Sequence, residues 1–170
     1  MSELIYKTLN ADGTISVDDN PIGEVDASIY LLAGSTAQAI PTGSTYTKFT
    51  GFAAKGVETG GMSADYANSR IVVPKAGNFR VYANFSTRLG TAEVTVDTAI
   101  FVDGVEIPDT HVQRKFSGTG YIFTVALTGT AVNVATGSVI DVRAKHDNAS
   151  SVNFTCSYAS LQADFKGYPA

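Results

Sequence analysis

The sequence predicts an all-β protein: a jelly-roll sandwich of two antiparallel sheets with an extended N-terminal arm. Three observations lead to an all-β sandwich or a jelly roll, and the order of the motifs, taken up below, favours the jelly roll. No window of 12 or more residues keeps a helical period. Alternation of apolar and polar residues with period two recurs from Phe79 to Phe165. The alternating runs are separated by Gly, Pro, Asn and Asp, the residues that make turns.

The N-terminal stretch differs from the rest. ELIYKTL and TISV flank Asn-Ala-Asp-Gly, and Pro21 and Gly23 come before ASIYLLAG. Residues 1–33 read as a hairpin-like arm and linker, and residues 34–170 as the jelly-roll domain. An isolated two-stranded hairpin is marginal in water. The arm's apolar residues Leu4, Ile5, Leu9, Ile15 and Val17 therefore need a partner surface and are the candidate docking residues.

Further along, AAKGVETGGMSADYANS (residues 53–69) is polar and glycine-rich and reads as a long loop. RIVVPKAG then gives a short apolar strand that stops at a proline and a turn. In FRVYANF, Phe79, Val81, Ala83 and Phe85 share one face, and Arg80, Tyr82 and Asn84 the other. In EVTVDTAIFV, Val94, Val96, Thr98, Ile100 and Val102 align. Asp103-Gly104 follows, the strongest short-range hairpin signal. In YIFTVAL, Tyr121, Phe123, Val125 and Leu127 align, and Gly137 marks the next tight turn. SVIDVRAKH sets a buried row of Ile140, Val142 and Ala144 against an exposed row of Val139, Asp141, Arg143 and Lys145. The last strand, VNFTCSYASLQADF, alternates through Tyr158 and then shifts to Leu161, Ala163 and Phe165. That shift predicts a bulge near Ser160.

Bulk properties narrow the function classes. At 170 residues the chain is long enough to bury a core without disulfides or metal. Charged residues make up 16%, against about 25% in an average domain. The surface is therefore carried largely by Ser, Thr, Asn, Gln and Gly, and it repels neighbours weakly. A net charge of −4 with scattered Lys and Arg, densest at Arg114-Lys115, gives no nucleic-acid footprint. No apolar run reaches the roughly 20 residues of a membrane span, and MSELIYKTLN does not read as a secretory signal. No nucleic-acid or membrane partner is expected. The lone cysteine, Cys156, lies in an alternating strand and reads as a buried, inert thiol.

Candidate chemistry is sparse. His111 and His146 have no catalytic partner pattern, and no G-x-S-x-G, His-x-x-x-His or Cys-x-x-Cys occurs. Asp18-Asp19 and Glu24-Asp26 lie in the arm, away from any expected cleft. TLNADGTISVDD matches a calcium loop at Asn10, Asp12, Gly13 and Asp19, but Thr8 would hold the first position. The same Asp-Gly makes a hairpin turn without metal, and the turn is the reading adopted. Acceptor triplets at Asn84, Asn148 and Asn153 are of a kind frequent in Asn/Ser/Thr-rich chains. No enzyme activity, cofactor or metal is expected.

The order of the motifs carries a resemblance. A strand followed by Val-Pro-x-Ala-Gly and an aromatic alternating strand resembles the globular head of the complement first component and the tumour-necrosis-factor-like superfamily. Ala37-Gln38-Ala39-Ile40-Pro41 with TYTKFTGF, AIFVDGVEI, VNVATGSVIDVRA and SYASLQADF resemble further strands in the same order, over about residues 37–165. The resemblance implies a ten-strand jelly roll that trimerises about its closing strand. Tyr82 and Tyr158 are the candidate residues at the trimer interface. Phage virion proteins also use this fold, as capsid decoration (cement) proteins, head fibres and fibre tips. The function expected is that of a structural virion protein: a homotrimeric decoration protein that binds the major capsid protein on the outer surface of a phage capsid and stabilises the shell. The alternative is a fibre-tip module that recognises a host-surface glycan or protein.

Overall fold

The computed structural model describes residues 6–9, 15–18, 26–31, 36–42, 45–90, 93–120 and 122–167. The strands in order are β1 (Tyr6–Leu9), β2 (Ile15–Asp18), β3 (Asp26–Leu31), β4 (Thr36–Ile40), β5 (Thr47–Lys48), β6 (Ala54–Glu58), β7 (Ser63–Asp65) and β8 (Arg70–Val72). They continue with β9 (Gly77–Leu89), β10 (Val94–Val102), β11 (Val105–Glu106), β12 (Val112–Phe116), β13 (Ile122–Val134), β14 (Val139–His146) and β15 (Val152–Gly167). Among the described residues the helices are two single 3-10 turns, Tyr66–Asn68 and Pro108–Thr110.

Two antiparallel sheets face each other, as the sequence predicts. The six-stranded sheet runs β13-β9-β15-β3-β6, with β4 continuing the line of β3 along β15. The seven-stranded sheet runs β11-β10-β14-β8-β7, with β12 also on β10 and β5 also on β14. The described residues of the predicted inward rows form the core, with Val102 and Phe123 partly buried against it, while Tyr121 lies outside the described residues. β9 alternates buried and more exposed residues without a break from Gly77 to Leu89. Phe79, Val81 and Ala83 meet Ile100, Ile140 and Val142 from the opposite sheet in one large apolar cluster. A second cluster gathers Ile40, Leu89, Val94, Val96, Phe116 and Phe154.

The turns follow their chemistry. Asp103 and Gly104 both have positive φ, 50° and 81°, the geometry of a type I′ hairpin. Asp103 also accepts a hydrogen bond from Val139 N–H at 2.8 Å, which ties the turn to β14. Gly137 has φ 83° in the turn before β14. Pro74 lies just past the end of β8, where its missing N–H costs no ladder bond.

Four expectations are corrected. β3 lies inside residues 1–33 yet pairs with β15 and β6, and it buries Ala27, Ile29 and Leu31 in the core. The part assigned to the arm therefore includes a core strand. β1 and β2 do form a hairpin of their own, with Leu9 opposite Ile15 and Lys7 opposite Val17. They pair with no other described strand. Residues 53–69 are not one loop, because β6 and β7 lie there. Both are short edge strands, and β6 is exposed from Lys55 to Glu58, so it shows no apolar alternation. The bulge falls at Ser157, between Cys156 and Tyr158, not near Ser160. Finally, Asp141 is buried rather than exposed. It accepts two hydrogen bonds from Arg143, at 2.7 and 3.0 Å, and that pairing is what permits the burial.

Candidate functional site

The two sheets present very different outer faces. On the seven-stranded sheet the outer face is covered by its own side chains. Arg143 stacks over Phe101 at 4.7 Å, Phe101 meets Tyr46 edge-on at 4.9 Å, and Lys145 lies over Tyr46 at 4.5 Å. Lys145 Nζ is 3.9 Å from Asp97. His111 bridges two carboxylates, with Nε2 3.1 Å from Asp97 and Nδ1 2.8 Å from Glu106. Two acceptor partners require both ring nitrogens to donate, which is the imidazolium form. The Asp97 hydrogen bond, followed by Glu106, raises the His111 pKa against the opposing effect of burial. Burial, and then the charges of Glu106 and Asp97, push the Tyr46 hydroxyl well above its usual value. The Tyr46 oxygen itself is buried, and among the described residues it has no partner in hydrogen-bonding geometry.

Among the described residues nothing covers the outer face of the six-stranded sheet, which is nearly uncharged at its centre. β9 and β15 run side by side there, with β13 beyond β9 and β3 beyond β15. One row across the face reads Ala126, Asn84, Ser160, Tyr30. The next reads Thr128, Tyr82, Gln162, Ser28. A third brings Thr124, Ser86 and Tyr158 together. Charge enters at the ends: Arg80 is opposite Asp164 at one, and Arg88 is opposite Thr155 at the other. Asn84 Nδ2 reaches Ser160 Oγ at 3.5 Å, and Gln162 Nε2 donates to Asp164 at 2.9 Å.

The structure thus places Tyr82 and Tyr158 on one face. Tyr82 is half-buried and Tyr158 is 53% exposed. Ser86 lies four residues along β9 from Tyr82, so the two tyrosines are attached about 13 Å apart along the strands at the usual strand rise. The bulge at Ser157 turns Tyr158 outward; unbroken alternation from Cys156 would have turned it into the core. Tyr30 is a third tyrosine on this face. Its segment falls within residues 1–33, and the alternation of buried Ala27, Ile29 and Leu31 is the signal that places it.

The other candidates separate. Leu4 and Ile5 lie outside the described residues, as do Asn10, Asp12, Gly13 and Asp19 of the calcium-like stretch. Leu9, Ile15 and Val17 lie in the β1–β2 hairpin. His146 is buried. It accepts from Asn148 N–H at Nδ1, 3.1 Å, so its Nε2 carries the proton and donates to Ile40 C=O at 2.9 Å. It is a structural crosslink between β14 and β4. Cys156 is buried, and burial raises its pKa to about 11, so its thiolate is not populated near neutral pH. Among the described residues no group of three or more His, Cys, Asp or Glu side chains is arranged to hold a metal. No helix among them is long and apolar enough to cross a membrane.

No protein-family model matches the sequence, and no curated protein does. Among solved structures the chain is similar to the globular domain of zebrafish complement 1qA protein. The two share 8% identity with a TM-score of 0.55, over 87% of this chain and 100% of that one. The likeness is one of fold: this chain adopts the jelly roll of the complement C1q globular domain.

Proposed function

We propose that the protein is a structural virion component, a homotrimeric decoration protein that docks on the outer surface of a phage capsid. One observation carries the reading: the outer face of the six-stranded sheet is wide, uncharged at its centre and studded with Tyr30, Tyr82 and Tyr158. Such a face suits packing against neighbouring copies of the chain around an axis. Charge is depleted and tyrosine enriched at the centres of protein interfaces. The opposite sheet buries its own aromatics under paired charges and offers nothing comparable. The resemblance drawn from the sequence also points to trimers about the closing strand. The β1–β2 hairpin, which pairs with no other described strand, supplies the docking element. Three copies of one modest contact act together on a shell at high effective concentration.

Electron microscopy of virions that carry the protein tests this reading. Three-fold density on the capsid shell is the expected result. Density at a tail or fibre tip would replace it with receptor recognition. A monomer at micromolar concentration in light scattering would remove the trimer.

A further inference from the structure

Strand β13 is a sheet edge without charge. Over its 13 residues, Ile122–Val134, it holds no Lys, Arg, Asp, Glu or Pro. In the described ladders it pairs with β9 on one side and with no strand on the other. Edges of this length are ordinarily blunted by a charge, a proline or a cover.

Parity shows which backbone groups face outward. Gly90, just past β9, donates its N–H to Asn153 C=O, so the even-numbered residues of β9 face β15 and the odd-numbered ones face β13. Val125 is opposite Phe85 and Leu127 opposite Ala83. The even-numbered residues of β13 therefore aim N–H and C=O away from the sheet. Two of these are met by side chains. Arg114 Nη1 donates to Thr124 C=O at 3.0 Å, and Asp109 Oδ2 accepts from Thr130 N–H at 3.2 Å. Between them, Ala126 and Thr128 keep both outward groups unmet among the described residues.

The two capped positions stand at equal distance on either side of Leu127, and the caps have opposite charge. We propose that β13 pairs antiparallel with β13 of a second copy of this chain, about a two-fold axis at Leu127. In that register Ala126 exchanges two backbone hydrogen bonds with Thr128 of the second copy, and Thr128 does the same with the second copy's Ala126. Thr124 faces the second copy's Thr130, so Arg114 of each copy comes beside Asp109 of the other. Of the registers that parity allows, this one alone sets each cap opposite the other. The contact uses the rim of the sheet, not the face proposed for the trimer, and so adds a separate two-fold link between copies.

Cysteine crosslinking on the full chain tests the register. Opposed residues of such a pair have Cα atoms about 5.5 Å apart, within the ~4.4–6.8 Å that a disulfide spans. Ala126→Cys mixed with Thr128→Cys, oxidised with copper phenanthroline, is expected to give a disulfide-linked dimer. Each variant alone gives little, because like residues are staggered. The native Cys156 is buried and does not compete. Arg114→Glu or Asp109→Arg lowers the yield about fivefold, near the upper range for an exposed ion pair, and the double charge swap restores it. No crosslink in the mixture, or equal crosslinking in the single variants, overturns the proposal. So does a yield indifferent to the charge reversals, including the case where another protein's strand occupies the edge. Crosslinking that persists in Tyr82→Arg, where trimerisation is lost, supports the rim contact as independent of the face.

Discussion

Tyr158 on β15 stands opposite Ser86 on β9 and faces outward, because Ser157 and Tyr158 together take the place of one residue in the ladder. A bulge of this kind re-aims a side chain at the cost of one irregular ladder position. Here it adds an aromatic ring to a face that Tyr82 and Tyr30 already share.

That face gives the first prediction. Tyr82→Arg and Tyr158→Arg each place a charge where three copies are proposed to meet. Burying an aromatic side chain is worth about 1.5–3 kcal/mol, so each variant weakens self-association about tenfold or more. Both side chains lie outside the core, and the fold itself is expected to change by less than about 0.5 kcal/mol. Sedimentation velocity at a series of concentrations reads the association, and a thermal melt reads the fold. Unchanged association in both variants would remove this face as the contact.

His111 gives a pH dependence. The groups that face it are Asp97 and Glu106, with Gln113 and Lys145 also on Asp97 and Tyr46 close to both carboxylates. Its folded-state pKa lies above the ordinary value of about 6.5. Folding therefore favours the imidazolium. That stabilisation is fully present below the unfolded pKa and is lost as pH rises through the higher folded one. The side chain is 38% exposed, so solvent screens the pair and the effect stays below about 1 kcal/mol. The urea midpoint is expected to drop as pH rises from about 6 toward 8, and to drop less in His111→Gln, which keeps His146. Equal slopes in the two proteins would show that the bridge does not contribute.

Gly129 on β13 gives a steric prediction. A Cβ there would collide with Thr110 Cγ2 and come within 2.7 Å of Asp109 Oδ1. The Pro108–Thr110 turn packs directly on this backbone, and Thr110 is itself held by Ile107 C=O at 2.7 Å and Ile100 N–H at 2.9 Å. Gly129→Ala must displace that turn. Overpacking of this kind costs about 1–3 kcal/mol, which a denaturant midpoint measures. A variant as stable as the wild type would mean that the turn yields freely.

The inward rows of β9, β10, β13 and β14 were legible because burial on one side of a strand leaves a strict alternation. The Asp103-Gly104 hairpin was legible because few residues accept two successive positive φ angles. The short edge strand β6 was not, since its side chains lie in water and nothing in its composition marks the pairing with β3. The Ser157 bulge is masked in the sequence by one coincidence: Tyr158 is aromatic and extends an apolar row that in the structure ends at Cys156. The rows of the candidate face could not be assembled from sequence, because they depend on which strands lie side by side.

β3 decides the last prediction, which concerns where the arm ends. Ala27 and Ile29 are fully buried and Leu31 is 4% exposed, with Ala163, Leu161 and Ala159 of β15 as their register partners. Two large apolar side chains at about 1.5–3 kcal/mol each amount to roughly 3–6 kcal/mol, a large share of the ~5–15 kcal/mol that holds a domain together. Removing β3 also strips the inner partner from β6 and exposes the flank of β15. The β1–β2 hairpin contributes no strand to either large sheet. Deletion of residues 1–25 is therefore expected to leave a folded chain with a β-rich circular-dichroism spectrum and a cooperative melt. Deletion of residues 1–33 is expected to unfold or aggregate it. If the shorter deletion folds and still associates but no longer binds its particle, the hairpin is the docking element. If the shorter deletion unfolds, the hairpin belongs to the core and the docking role is lost. If the longer deletion melts like the wild type, the burial of Ile29 and Leu31 contributes far less than their packing implies.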